Sequence, residues 1–344
     1  MTNKKNDSPP QDGGSKGGAS KGSKNAGQTN KTKGSLTKVV VKEDDVGNWI
    51  TPEKAAKFYL DDDAKFPSIE FSFQTDCTGP YKWTWEMKWD AHVSGLREKP
   101  RGKKVASFKD KGSFSSTDKC WDASAIKKPI GGKLTVTVEF QGEKLRRTVQ
   151  VLGTQPSTDK IKAYLKEKSA TAFEKLIAQE SKFKHFIALD REPVVAGDKG
   201  YGLAQLTTPP PTYSQVWSWK ENLDGGIKLM DGKKKDAKAM LDKHGAASYT
   251  EEMLDLETLS RWNGGSYHEW NATTKKWQRK DEIMCDTQTG NIGWDMTVAA
   301  NKGKTEKELR ERDLDEYPKM KAGQTAKHPW TYTGVCYADH LNEK

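Results

Sequence analysis

Phe173, Leu176, Ile177 and Glu180 fall at i, i+3, i+4 and i+7, the spacing of one helix face. A carboxyl group thus stands where an apolar side chain is expected. Burial there disfavours ionisation and raises the pKa, which is what a general acid working near neutral pH requires. The competing reading is a glutamate at a helix end that swings its carboxylate into solvent, and position alone favours it. The neighbouring segments change the balance. Glu180-Ser181 is followed by Gly200-Tyr201-Gly202-Leu203-Ala204-Gln205-Leu206-Thr207, then by Glu221-Asn222-Leu223-Asp224-Gly225-Gly226, and later by Arg261-Trp262-Asn263-Gly264-Gly265.

This ordered set resembles the soluble lytic transglycosylases and goose-type lysozymes of the lysozyme-like superfamily. Their motifs are a helix-borne Glu-Ser, a Gly-Leu-Met-Gln-like turn, an Asn-Ile-x-x-Gly helix and a Tyr-Asn-Ala-Gly or Tyr-Asn-Gly-Gly segment. Each motif alone is weak, and the four in order are fairly specific. The resemblance covers residues 158–270 and extends to neither the preceding region nor the N-terminal tail. It implies that Glu180 is the catalytic acid/base and that Ser181 supports the site. Gly202 and Gln205 would line the saccharide groove, with Gln205 hydrogen-bonding to sugar. Asn222 would be structural, Gly226 would allow close helix packing, and Asn263 would match the asparagine of the last motif. There are two departures. Trp262 stands where the family has a tyrosine whose hydroxyl helps hold the acid, so an indole N–H replaces that contact or the contact is absent. Ala204 replaces a common methionine.

The expected chemistry is cleavage of the bond between N-acetylmuramic acid and N-acetylglucosamine in peptidoglycan. A lytic transglycosylase needs one carboxyl group and leaves 1,6-anhydro ends. An inverting hydrolase needs a second carboxylate about 6.5 to 9.5 Å away. Asp198 is the candidate for that second group; Asp190 and Glu192 lie in the same connection, and each of the three is otherwise an ordinary solvated loop acid. The six histidines show no metal-ligand spacing, and His185, although near Glu180, reads as structural before it reads as a groove residue. No phosphate-binding glycine loop and no Gly-x-Ser-x-Gly elbow is present. Neither a cofactor nor a metal is expected.

These residues need a scaffold, and the hydrophobic period changes along the chain. Residues 1–36 are Gly-, Ser- and Lys-rich with almost no large apolar side chains, which predicts a disordered basic tail. From 37 to 153 the period is two. Tyr81, Trp83, Trp85, Met87 and Trp89 alternate with Lys82, Thr84, Glu86 and Lys88. Leu134, Val136, Val138 and Phe140 repeat the pattern before a Gln141-Gly142 turn towards Val149 and Val151, and Ile69, Phe71 and Phe73 add a further strand. A β-sandwich follows, with an immunoglobulin-like arrangement as one form, read as a docking or targeting module. The aromatic stripe reads as core before it reads as a sugar platform. A short helix is expected from Thr51-Pro52.

After Gly153 the period becomes helical over 158–187, then over 213–243 and 250–262, the last opened by a Ser248/Glu251 capping box. A hairpin is expected from Trp270 to Trp277, and charge-rich, helix-like sequence thereafter. The fold class is therefore α+β multidomain, with a mainly α lysozyme-like domain over 154–344.

Bulk properties bound the partners. The mean hydropathy is −0.90, and no apolar run approaches the roughly 18 to 20 residues of a membrane span. The net charge of +10 favours a polyanionic partner, either the bacterial wall or nucleic acid. Lys4, Lys5, Lys16, Lys21, Lys24, Lys31 and Lys33 carry much of that excess, opposed in the same stretch by Asp7 and Asp12. A nucleic-acid reading would thus rest heavily on the tail and has no recognised motif behind it. The N-terminus shows no apolar signal-peptide core. Action in the periplasm or at the wall would then need a route outside general secretion, as for an antibacterial effector with an immunity partner or a phage-associated wall enzyme. Cys77, Cys120, Cys285 and Cys336 fall as two pairs without a Cys-x-x-Cys. Disulfides Cys77–Cys120 and Cys285–Cys336 are expected in an oxidising space, although four cysteines permit three connectivities and reduced thiols are the alternative. The rival reading of the whole is an inactive wall-binding protein.

Overall fold

Alternation from Tyr81 onward does produce a strand whose odd-numbered side chains enter a core: Tyr81, Trp83, Met87 and Trp89 are all buried, with Trp85 half-buried. The computed structural model describes residues 45–96, 100–318 and 325–343. The tail expected at residues 1–36 lies outside the described residues. In chain order the first strands are β1 (Trp49–Thr51), β2 (Lys57–Tyr59), β3 (Glu70–Phe73), β4 (Tyr81–His92), β5 (Lys104–Ser116), β6 (Cys120–Asp122), β7 (Gly132–Phe140) and β8 (Glu143–Leu152). They form a five-stranded sheet of order β2-β8-β7-β4-β5 and a three-stranded sheet of order β1-β3-β6. Only the β2–β8 pairing is parallel. The β7–β8 hairpin turns at Gln141-Gly142, both at positive φ (44° and 83°), as a tight hairpin turn matching the strand twist requires. Phe73 packs against Trp83 and Phe140 with ring centroids 5.6 and 5.5 Å apart, so the two sheets share one aromatic core.

Two expectations fail in this region. No helix begins at Thr51-Pro52; Thr51 ends β1, and its hydroxyl hydrogen-bonds Ser72 Oγ across to β3 at 2.6 Å instead of capping a helix. Cys77 and Cys120 are free thiols, not a disulfide. The β3–β6 register sets Cys120 opposite Ser72, while Cys77 lies further on, in the loop leading to β4.

The remaining elements are α1 (Thr158–Glu167), α2 (Phe173–Ser181), α3 (Tyr213–Trp217), α4 (Trp219–Leu241), α5 (Glu251–Trp262), β9 (His268–Asn271), β10 (Lys276–Arg279), β11 (Ile283–Cys285), β12 (Ile292–Asp295), α6 (Glu306–Asp313), β13 (Trp330–Tyr332) and α7 (Gly334–Asn342). The fold is α+β, and this half also holds the β9–β10 hairpin and a β11-β12-β13 sheet. Trp270 and Trp277 face each other across the hairpin. The helical run expected over 158–187 is two helices. Ser169 adopts φ 56° and closes α1, as a left-handed C-terminal residue does. The cap of α5 is Thr250, whose hydroxyl accepts from Met253 N, and not Ser248, whose hydroxyl is spent on Gly245 O.

Sheet and helices meet through buried aromatics. A Cβ added at Gly131 would lie 2.2 Å from the Trp217 ring, so the indole rests directly on backbone. Trp217 also meets Trp89 edge-on at 5.4 Å. Phe186 lies as closely on Gly153, and Phe108 of β5 stacks on Tyr213 at 5.4 Å. All of these side chains belong to or pack against one core cluster.

Candidate active site

Glu180 sits near the C-terminal end of α2, whose Phe173, Leu176 and Ile177 are buried against Leu203, Ala204, Trp219 and Leu223. The helix stops immediately after Ser181, because Lys182 and Phe183 take left-handed φ values of 51° and 59°. The carboxyl is thereby held at the rim of the apolar cluster, half-buried rather than swung out. Two donors converge on its Oε1: the Trp262 indole N–H at 3.2 Å and the Tyr337 hydroxyl at 2.5 Å. Oε2 accepts no hydrogen bond among the described residues.

Burial pushes the Glu180 carboxyl above the ordinary range. The Tyr337 and Trp262 donors, which favour the charged form, pull it partly back, and the negative charge of Asp198 adds to the rise. Tyr337 is itself buried and faces Glu180, and both effects raise its hydroxyl pKa, so it acts as a donor only.

The other motif residues are brought to the same core. Gly202 opens the turn at φ 67°, and a Cβ there would strike His185 and the Asn222 amide. Asn222, fully buried on α4, accepts from Ala204 N at 2.8 Å and donates to Tyr201 O at 2.9 Å and Gln215 O at 3.1 Å. It therefore fixes the shape of the turn by satisfying backbone groups that water cannot reach. Gly226, one helical turn further, would clash with both Ala204 (2.6 Å) and Phe173 (2.8 Å) if it carried a Cβ. The turn and α2 thus converge on one spot of α4. Alanine at 204 fits that crowding.

Gln205, at φ 47°, donates from Nε2 to Gly202 O at 2.6 Å and so braces the turn. Ser181 is fully buried, and its hydroxyl donates to Ile177 O at 3.1 Å, so it serves the helix backbone and not the solvent side. Asn263 follows α5 as its C-cap, with its Nδ2 enclosed and unpartnered among the described residues. Asp198 is exposed and accepts from Gly200 N at 3.1 Å.

Asp190 and Glu192 are engaged elsewhere. Asp190 pairs with Arg101 at 2.7 Å; Glu192 accepts from Trp89 Nε1 at 2.9 Å and lies 3.3 Å from Arg101. His185 is fully buried beneath the Gly202 turn, and burial pushes its pKa down to about 3, so it is neutral and structural.

Two residues of the site escaped sequence reasoning. Tyr337 comes from α7, far along the chain, with no local signal to connect it to Glu180. Glu257 is a fully buried carboxylate on α5 whose Oε2 accepts from Tyr267 N (2.9 Å) and His268 N (3.0 Å), with Arg261 paired to its other oxygen at 2.9 Å. Burial alone would raise its pKa, but the His268 ring nitrogen at 3.3 Å, together with these bonds, holds it below the ordinary range. It ties the loop after Trp262 back onto the helix. Its only sequence signal is the Glu257/Arg261 spacing of i, i+4.

The arrangement can do single-carboxyl acid/base chemistry: one oxygen is held by two donors, and the other accepts no hydrogen bond among the described residues. Among the described residues no His/Cys/Asp/Glu group has the makings of a metal site. No helix is long and apolar enough to cross a membrane among the residues described. Comparison with family models, with curated proteins and with solved structures gives no match.

Proposed function

We propose that the chain cleaves peptidoglycan glycan strands as a lytic transglycosylase with Glu180 as its acid/base. The observation that carries this reading is the half-buried Glu180 carboxyl, held through Oε1 by Trp262 and Tyr337 in a core that also gathers the Gly202–Gln205 turn and Asn222. In the reaction, protonated Glu180 donates to the bridging oxygen between N-acetylmuramic acid and N-acetylglucosamine as that bond breaks. The substrate's 2-acetamido group stabilises the developing positive charge at C1. Glu180, now a carboxylate, takes the proton of the muramyl C6 hydroxyl, whose oxygen bonds to C1 and closes the 1,6-anhydro ring. One carboxyl gives and then receives one proton, so no second acid is needed.

The alternative is a muramidase in which Asp198 activates water. It is favoured by the negative charge of Asp198, which adds to the rise in the Glu180 pKa. Such an activity fits action in the periplasm or at the wall, as an antibacterial effector or phage-associated enzyme. Mass spectrometry of muropeptides released from purified peptidoglycan tests the choice. Anhydro products from the wild type and none from Glu180→Gln are expected. Reducing ends would turn the reading to hydrolysis, and no release from folded wild type would favour a wall-binding protein.

A further inference from the structure

Tyr337 reaches Glu180 only because α7 is set against the end of α5, and that setting has no slack. A Cβ added at Gly334 would lie 2.3 Å from Ser260 O, and one at Gly265 would lie 2.9 Å from Gly334 Cα, so the first turn of α7 rests on bare backbone. On its other side Cys336, buried and adjacent to Tyr337 in sequence, is joined to Cys285 at the end of β11. The Cys336 sulfur is also wedged against Gly293 of β12, where an added Cβ would approach it to 2.7 Å. Helix α7 is therefore fixed between α5 and the β11–β12 strands, with the disulfide as its one covalent tie.

We infer that the Cys285–Cys336 disulfide is a positioning clamp for the acid, holding the Tyr337 hydroxyl on Glu180 so that a dithiol reductant releases it. The inference rests on the acid/base reading of Glu180. The bond is reachable from its Cys285 side: both cysteines line a cavity of about 310 Å³ together with Asp286, Thr287, Gly290 and Asp339. Cys285 is half-buried, and the Arg279 guanidinium stands 3.2 Å from its sulfur, where its charge favours a departing thiolate, offset by Asp339, which pairs with that cation and lies 3.6 Å from the same sulfur. In the step, a dithiol supplies two electrons and two protons and closes its own disulfide, while Cys285 and Cys336 become thiols.

Two thiols cannot remain at bonding distance. Reduction thereby removes the one covalent tie of α7 and leaves the helix held by packing and hydrogen bonds alone, a looser hold that lets the Tyr337 hydroxyl leave Oε1. The Arg279–Asp339 pair and the Tyr267 to Asp339 hydrogen bond (2.6 Å) still hold the helix to the fold, so reduction loosens α7 without unfolding it. The reducing or oxidising character of the surrounding compartment would then set whether the acid is held.

The test compares the oxidised full chain with the same protein after dithiothreitol, following the Glu180 side-chain carboxyl carbon by NMR titration, assigned with Glu180→Gln. The Glu180 midpoint is expected to move further up on reduction, because a donor to its charged form is lost. Muropeptide release is expected to fall by about tenfold or more through misplacement of the acid. Cys285→Ser should behave as the reduced protein does, and Tyr337→Phe should be indifferent to dithiothreitol. An unmoved Glu180 midpoint in reduced protein with unchanged circular dichroism would overturn the clamp, as would an equal response in Tyr337→Phe. Loss of the folded spectrum on reduction would overturn it too, making the bond a plain staple. If the oxidised wild type releases no muropeptides, the enzyme reading fails, and the NMR comparison still decides the clamp.

Discussion

Glu180 is poised by opposing influences, burial and the Asp198 charge raising its pKa and two hydrogen-bond donors lowering it. Tyr337→Phe deletes the shorter of the two bonds and leaves the ring. The remaining carboxyl is expected to hold its proton to higher pH, which moves the alkaline limb of the activity profile upward. Its looser placement should lower the rate by about 10- to 100-fold. A pH–rate profile of muropeptide release checks both parts, and an unshifted limb would show that the hydroxyl does not govern the acid. Stability has the same root. A folded-state pKa above the unfolded one means that the unfolded chain gives up its proton first. Stability from the protonated acid is therefore full below the ordinary carboxyl range and is lost as pH rises through the raised value. Glu180→Gln, inactive, should accordingly melt a few degrees higher near neutral pH, a gain of about 1 kcal/mol.

At the scale of elements, the site is an agreement between α2, the 200–207 turn, α4, α5 and α7. Helix α4 is the common support, since Asn222 satisfies the turn's backbone and Gly226 admits both Phe173 and Ala204. Asn222→Ala leaves the buried Ala204 N–H without its side-chain partner and takes one bond each from Gln215 O and from Tyr201 O, which keeps Leu206 N, and is expected to cost about 2 to 4 kcal/mol. Denaturant midpoints measure that loss, and hydrogen exchange should show the turn opening before α4 does. A variant as stable as the wild type would mean that the turn is shaped by its glycines alone. Strands β3, β4, β7 and β8, the α4 and α5 helices and the β9–β10 hairpin were legible in residue spacing, because period is a local property; β5, with polar residues on both faces, and the short strands carried no such period. Their joints were not. Thr51 could cap a helix or bridge to Ser72, and only the neighbouring strand decides. Ser248 and Thr250 are both good caps, and the choice falls to whichever hydroxyl has no nearer backbone partner.

At the scale of the whole molecule, the sheets and the helices share a core instead of meeting at a wet seam. Trp217 lies on Gly131 and against Trp89, and Tyr213 donates to Gly131 O while stacking on Phe108. Residues 154–344 produced without the strands would expose Phe186, Trp217 and Tyr213 and should be aggregation-prone and without activity. Calorimetry of residues 37–344 should give one cooperative transition, with Trp217→Ala lowering its stability by about 3 to 5 kcal/mol. Two well-separated transitions would show that the sheet is an independent module.

Residue spacing alone shows the longest alternating and helical runs, an acid on an apolar helix face, and glycines and an asparagine that follow it in a set order. Those properties depend on a few neighbouring residues and are written in spacing. The folded chain was needed to show that Trp262 donates to the acid, that Tyr337 joins it from the far end of the chain, and that of the two expected disulfides Cys285–Cys336 forms while Cys77 and Cys120 stay free. Each of those depends on where two distant backbones come to lie. That is set by the packing of Gly226, Gly265 and Gly334 against their neighbours, which no local pattern records.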